Sequence, residues 1–163
     1  MNEYIQDLPG ILFWVVLFVV IKSVRAKRDE ESKHPKNAAQ RELVDDVIAT
    51  IERTAPDFDG AAVYHSSSKE RSASGSYGGH IAFQSLCGGR FEYNFESHGY
   101  SVSREMALTL ASEIAKRFGG EYRPITRYIG EGDYITIGYA VISPRQLAEE
   151  REKQRRKDSL KRL

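Results

Sequence analysis

The chain has 163 residues, with 24 lysines and arginines against 23 aspartates and glutamates, and a formal net charge of +1. This length suffices for one domain of ordinary size. The balanced charge excludes recruitment of nucleic acid by a global field, so an electrostatic partner must be recognised by a local patch. The single cysteine, Cys87, excludes an internal disulfide and suits a reducing compartment.

The first predicted element is a membrane-spanning helix. Residues 8–21 contain no charged or polar side chain, and because a span needs about 20 residues we expect the helix to cover residues 5–24. Residues 1–24 are therefore assigned to an N-terminal anchor, with a signal peptide or a buried core helix as the alternatives. The residues predicted to span the membrane are Leu8, Ile11, Leu12, Phe13, Trp14, Val15, Val16, Leu17, Phe18, Val19, Val20 and Ile21.

Basic residues predict the orientation of this anchor. No lysine or arginine precedes the apolar run, whereas Lys22, Arg25, Lys27 and Arg28 follow it closely. Because such residues stay on the cytoplasmic side, the N-terminus is predicted to lie outside the cell membrane and the rest of the chain in the cytoplasm. Residues 25–36 are predicted to be a charged juxtamembrane linker.

A helical period begins after Asn37. Its apolar stripe comprises Leu43, Val44, Val47, Ile48 and Ile51. We expect this helix to end before Pro56 and Gly60, and a short strand to follow at residues 61–65. Residues 66–79 are rich in serine and glycine and predict a mobile loop.

Two β runs follow, at residues 80–87 and 90–97, and Gly88-Gly89 between them predicts a hairpin. In the second run Phe91, Tyr93 and Phe95 share one face. The first run alternates poorly, so it is predicted either to be buried on both faces or to carry a bulge.

The next helix is bounded by Ser103 as N-cap and by Gly119 at its end. We expect it to pack across the sheet. A second hairpin is predicted from strands at residues 121–129 and 134–142, with Pro124 marking an edge strand and with one face shared by Ile135, Ile137, Tyr139 and Val141. Ser143-Pro144 then opens a last helix, which has almost no apolar stripe and should project into solvent.

These elements predict an α+β fold, in which a single N-terminal transmembrane helix precedes one domain at residues 37–146. The domain has a mainly antiparallel sheet of about five strands with helices packed on one face, and residues 147–163 form a basic helical tail. The order of elements over residues 37–118 resembles that of the double-stranded RNA-binding domain. That family opens its second helix with a basic cluster, whereas here Arg104 is followed by Glu105, so the resemblance is one of order only.

No residue pattern indicates catalysis. The four histidines, His34, His65, His80 and His98, lack the spacing of a zinc site, and no sequence neighbour of Cys87 would activate a thiolate. The sequence therefore predicts no catalytic residue, metal or cofactor.

Two patches are candidates for binding. From Arg151 onward seven basic residues stand against two acidic ones, a local charge of +5, which suits anionic lipid or nucleic acid. The second hairpin mixes arginine with tyrosine, as single-strand binding surfaces do. For each patch, an ordinary solvated surface is the alternative. The candidate contact residues are Arg123, Arg127, Arg151, Lys153, Arg155, Arg156 and Lys157.

The leading hypothesis is a single-pass membrane-anchored protein whose cytoplasmic domain is a non-enzymatic binding or scaffolding module. Its expected partners are the lipid bilayer, other proteins and a second copy of itself. The alternative is a membrane tether for nucleic acid, which would bind through the basic tail and the Arg/Tyr hairpin.

Overall fold

The structure is a computed structural model that describes residues 18–19, 21–23, 35–75 and 77–161. The chain divides into two units, Met1–Ser32 and Lys33–Leu163. In the first unit Phe18, Val19 and residues 21–23 are helical and exposed. None of the helices in the described ranges is long and apolar enough to cross a membrane. The remaining residues of the predicted span, and residues 25–34 of the predicted linker, lie outside the described residues.

The second unit has the predicted α+β fold. Its five strands form one antiparallel sheet in the order β3-β2-β1-β5-β4. One turn of 3-10 helix lies at Ser66–Ser68 and another at Glu96–His98. The main elements are α1 (Ala38–Thr54), β1 (Phe58–Tyr64), β2 (His80–Ser85), β3 (Arg90–Asn94), α2 (Arg104–Phe118), β4 (Glu121–Gly130), β5 (Asp133–Ile142) and α3 (Pro144–Leu160).

Helices α1 and α2 begin at the kind of residue that satisfies free backbone N–H groups. Asn37 Oδ1 accepts a hydrogen bond from the Gln40 amide at 2.9 Å, and the predicted cap Ser103 accepts one from the Met106 amide at 3.1 Å. The α2 helix ends as predicted at Gly119, whose φ of +77° suits glycine.

Both helices bury their apolar stripes against one face of the sheet. The predicted packing of α2 across the sheet is confirmed, because one core cluster contains residues of both helices and of four strands. Its least exposed large side chains are Val47, Ile51, Val63, Ile81, Phe83, Phe95, Val102, Leu110 and Ile114. We call this the covered face of the sheet and the other the open face.

Two strand predictions were wrong in detail. Strand β1 begins at Phe58, three residues before the predicted start, because Gly60 takes a φ of +108° and the pairing register shifts between Phe58 and Ala61. The strand thus continues through a sequence typical of a turn. Strand β2 is neither bulged against β3 nor buried on both faces, since Ala82 is exposed between buried Ile81 and Phe83.

Residues 66–75 and 77–79, which the sequence predicts to be a mobile loop, contact the rest of the domain through polar groups; their mobility stays a prediction, and Ser76 lies outside the described residues. The Ser66 amide donates to the Val102 carbonyl, and the Val102 amide donates to Ser66 Oγ, each at 2.8 Å. The Ala73 amide donates to the carboxylate of Glu92 on β3. Polar contacts therefore attach to the domain a segment that has little apolar surface to bury.

The second hairpin is confirmed, and Pro124 lies on edge strand β4. Strand β5 pairs with β1 only over residues 138–141, so residues 126–137 extend beyond the rest of the sheet as a two-stranded ribbon, which we call the arm. A register shift separates Ile125 from Thr126. Ile137, Tyr139 and Val141 are buried, but beyond this shift Ile135 is 43% exposed, so its predicted place on their face was wrong.

Helix α3 opens with the predicted cap, to which Gln146 adds a capping box with Ser143. Leu147 is buried, whereas every residue from 148 to 160 is exposed. The predicted projection of this helix into solvent is confirmed.

Candidate functional site

The arm carries the densest group of exposed large hydrophobic side chains in the second unit as described. Its side chains are between 43% and 67% exposed, and the rings of Tyr128 and Tyr134 lie 5.3 Å apart across the two strands. The four residues are Tyr128, Ile129, Tyr134 and Ile135. A two-stranded ribbon is marginally stable by itself. Tyr128 and Tyr134 pair on one face of the ribbon, whereas Ile135 pairs with Arg127 and lies on the opposite face, so the ribbon exposes apolar side chains on both faces, and exposed apolar surface is typical of an interaction site.

The base of the arm is held by the loop and by α2. His65 Nε2 lies 3.0 Å from the Thr136 carbonyl oxygen, and the Arg104 guanidinium donates to Thr136 Oγ1 at 2.9 Å. Arg127 forms an ion pair with Glu70. The charge of Arg127 is therefore engaged within the domain.

The predicted basic residues do not form one surface. Arg123 meets the tail, because its guanidinium lies 3.0 Å from the carboxylate of Glu150 on α3, and this contact raises the pKa of Arg123. The two elements enclose a cleft of about 500 Å³, which we call the basic cleft. It is lined by Arg123, Glu150, Arg151, Lys153, Gln154 and Lys157.

Other predicted contact residues lie outside this cleft. Arg156 forms an ion pair with Glu152 one turn earlier on α3, and neither Arg155 nor Arg127 lines the cleft. Within the described part of the chain, Arg151, Lys153 and Lys157 have no ion-pair partner. The cleft thus has three uncompensated cations besides the Arg123–Glu150 pair.

The open face of the sheet holds a cavity of about 520 Å³, which the sequence did not indicate. Strand registers place Ala82, Ala62 and Ala140 side by side on β2, β1 and β5. Methyl groups therefore make the floor of a shallow channel that runs across the strands, which we call the trough.

Polar side chains wall this trough. On one side the ring of Tyr64 lies 4.9 Å from that of His80. On the other side is Gln146, which is held in place because its Nε2 donates to the Asp59 carbonyl at 2.9 Å. The trough therefore has one aromatic and one amide wall, both fixed by contacts within the domain.

The end of the trough at β3 carries charge. The Glu92 carboxylate already has partners within the domain. Both of its oxygens accept from the Ala73 amide, and Oε1 lies 3.5 Å from His80 Nε2. Arg71 lies over the ring of Tyr77 at 4.9 Å. Arg90 also lines the trough, and among the described residues it has neither an ion-pair partner nor a side-chain hydrogen bond.

A buried carboxylate joins α3 to the sheet, and no local sequence pattern indicates it. Asp59 on β1 accepts from Ser143 Oγ at 2.7 Å and from Arg145 Nε at 3.0 Å. The Arg145 contact is the main cause that lowers the pKa of Asp59. The partners lie 84 and 86 positions away, so only the folded chain brings them together.

Cys87 and the three described histidines, His65, His80 and His98, make contacts within the domain. Asp57 accepts from Ser85 Oγ at 2.7 Å, and its proximity raises the pKa of the Cys87 thiol, which disfavours a thiolate. His98 stacks on Tyr93 at 4.2 Å. In the ranges that the structure describes, no three histidine, cysteine or acidic residues are grouped to hold a metal ion.

Comparison with known proteins finds no family model, curated protein or solved structure that matches this chain. Its function must therefore be inferred from its own surfaces.

Proposed function

We propose that this chain is a single-pass membrane protein whose cytoplasmic α+β domain is a non-enzymatic binding and scaffolding module that self-associates through the arm. The observation that carries the proposal is the arm itself, in which four large hydrophobic side chains are exposed on a ribbon beside a free sheet edge. The hydropathy of residues 8–21 and the basic residues that follow support the anchor and its orientation.

A second copy of the chain is the occupant that we assign to the arm. The outer edge of β4 has no neighbouring strand in this sheet, and free edges pair readily with another strand. Two-fold pairing of identical edges is self-complementary and closes after two copies. Two chains anchored in one bilayer also meet at high effective concentration, so a weak contact is sufficient.

The arm can be tested with the full chain in lipid nanodiscs or detergent, by measuring its mass as a function of concentration. We expect the wild type to be a dimer. We expect Tyr134→Ser with Ile129→Ser to weaken dimerisation by about tenfold or more, because burial of one large apolar side chain at an interface contributes roughly 1.5 kcal/mol or more to the binding free energy. Leu86→Ser is the matched control, since Leu86 is 55% exposed but lies outside the arm. A monomeric wild type, or equal dimerisation of the arm variant, would contradict the proposal.

The anchor is tested separately by fractionation of lysed cells. The full chain should sediment with membranes, and a variant that lacks residues 1–24 should remain in the supernatant. Protease added outside intact cells should leave residues 37–163 uncut. A full chain that stays soluble, or a domain cut from outside, would refute the membrane assignment.

A second candidate function is a membrane tether for nucleic acid, and the basic cleft is the observation that favours it. Phosphate binding by its cations should fall steeply with added salt. We expect Lys153→Gln with Lys157→Gln to lower the salt slope for single-stranded DNA by about 1.4, roughly 0.7 for each lost phosphate contact. Lys116→Gln on α2 is the control, because Lys116 is exposed and lies away from the cleft. No binding at about 50 mM salt would eliminate this function.

A further inference from the structure

From the trough we infer a second binding site on this domain, which takes a small organic anion with an apolar body and a carboxylate or phosphate group. This site is independent of the arm, because no residue that lines the trough belongs to residues 126–137. It would give the module a ligand-dependent function in addition to self-association.

The shape of the trough favours a small molecule over a peptide. Its volume of about 520 Å³ lies within the range of small-molecule sites, roughly 300–1,000 Å³. An extended peptide usually adds to a free sheet edge, whereas the floor is made by β2, β1 and β5, each of which already has a strand on both sides. The main-chain groups that would bind a peptide strand are therefore occupied.

The floor suits an apolar body. Ala62, Ala82 and Ala140 have only methyl side chains, and Ala82 is exposed. Tyr64 stands beside them, half-buried and supported by the ring of His80. A flat or linear hydrocarbon group can lie on these methyl groups with one edge against the tyrosine ring.

The charges suit an anion. Arg71 and Arg90 both line the trough, and the single carboxylate beside them, Glu92, is occupied by the Ala73 amide and His80. Neither arginine forms an ion pair with a described residue, so both guanidinium groups can donate hydrogen bonds to a ligand. Guanidinium groups bind carboxylate and phosphate through paired hydrogen bonds, and a ligand cation would instead meet two like charges.

The test uses the full chain in phosphatidylcholine nanodiscs and isothermal titration calorimetry, with empty nanodiscs as the blank. The probes are 2-naphthoate, 2-naphthyl phosphate and the uncharged 2-naphthamide. We expect both anions to bind, and the amide to bind at least about tenfold more weakly because it lacks the charged hydrogen bonds. The tighter of the two anions identifies the acidic group that the site prefers.

Two kinds of variant separate charge from shape. Arg90→Gln should weaken the anions by about tenfold and leave the amide unchanged, whereas Arg53→Gln, which removes an exposed arginine from α1, should change nothing. Ala82→Leu should abolish binding of all three probes by filling the channel. Because Ala82 is exposed, its variant should keep the wild-type unfolding temperature, which shows that the domain is folded.

Three results would overturn the inference. The first is equal affinity for 2-naphthoate and 2-naphthamide, the second is unchanged binding in a folded Ala82→Leu variant, and the third is no binding of either anion up to about 1 mM. None of these results bears on the arm, whose test is the oligomeric mass.

Discussion

The two faces of the sheet are built from the same strands but have opposite chemistry. On β2 the covered face receives Ile81 and Phe83, which are at most 1% exposed, while the open face receives Ala82 and Gln84. Neighbouring residues therefore serve different purposes, because successive side chains of a strand point to opposite faces. Along β2, side chains that stabilise the core therefore alternate with side chains that face the trough.

The separation is physical. Burial of one large apolar side chain contributes roughly 1.5–3 kcal/mol, and the covered face concentrates this gain under α1 and α2. The open face gives up such gain by using alanine. The space above the alanines remains open as a channel, which larger side chains would fill. The charged groups beside it would be buried if a helix packed on this face.

The largest expected effect comes from the covered face. Phe83→Ala should destabilise the domain by about 3–5 kcal/mol, because it removes a fully buried ring and leaves a cavity. Gln84→Ala, one residue away on the open face, should stay within about 0.5 kcal/mol of wild type. Urea unfolding of the two variants measures the difference. Similar losses for both would mean that the two faces do not differ in their contribution to stability.

The next largest effect concerns the attachment of α3, which belongs to neither face of the sheet. Asp59→Asn removes the charge that holds Arg145 and Ser143, and we expect a loss of roughly 2 kcal/mol at pH 7, less than for a fully buried pair because Arg145 is half exposed. Asp45→Asn on the exposed side of α1 is the control.

The pH dependence of this loss has a definite sign. Folding lowers the pKa of Asp59 below its ordinary value of 3.8, so its ionised form stabilises the fold above that value. The difference between wild type and Asp59→Asn should be constant from pH 7 to about 5, and should shrink as the pH falls through the lowered pKa. A difference that grows on acidification would show that the Asp59 carboxylate does not stabilise the fold.

Local signals made much of this fold predictable. Ser103 and Gly119 mark α2 because capping depends on residues a few positions apart, and the alternation of Phe91 and Tyr93 defines β3 because the strand period is two. The five-stranded sheet and the edge position of Pro124 follow from the same kind of pattern.

Other features depend on pairings that no local pattern reveals. Gly60 follows an aspartate and indicates a turn, yet its pairing partners draw it into a bulge inside β1. Among the predicted contact residues, Arg123 contacts the tail only because the fold brings β4 beside Glu150 on α3. The trough was missed because alanines from three strands become one floor only when the registers align them.

The smallest expected effect concerns the loop that was predicted to be mobile. Its anchor is Glu92, whose carboxylate oxygens lie 3.0 and 3.1 Å from the Ala73 amide nitrogen. Glu92→Ala should cost only about 1 kcal/mol of stability, the net value of a hydrogen bond in a partly exposed place. It should nevertheless speed hydrogen exchange at the Ala73 amide, because exchange reports local opening rather than global unfolding.

Glu42→Ala on α1 is the control for charge, since it should leave the exchange of Ala73 unchanged. If the Ala73 amide of Glu92→Ala stays protected, the loop is held by its other contacts, among them the hydrogen bonds between Ser66 and Val102. If protection is lost while the covered face remains folded, the open face can rearrange without cost to the core. That outcome would extend the separation of the two faces from composition to dynamics.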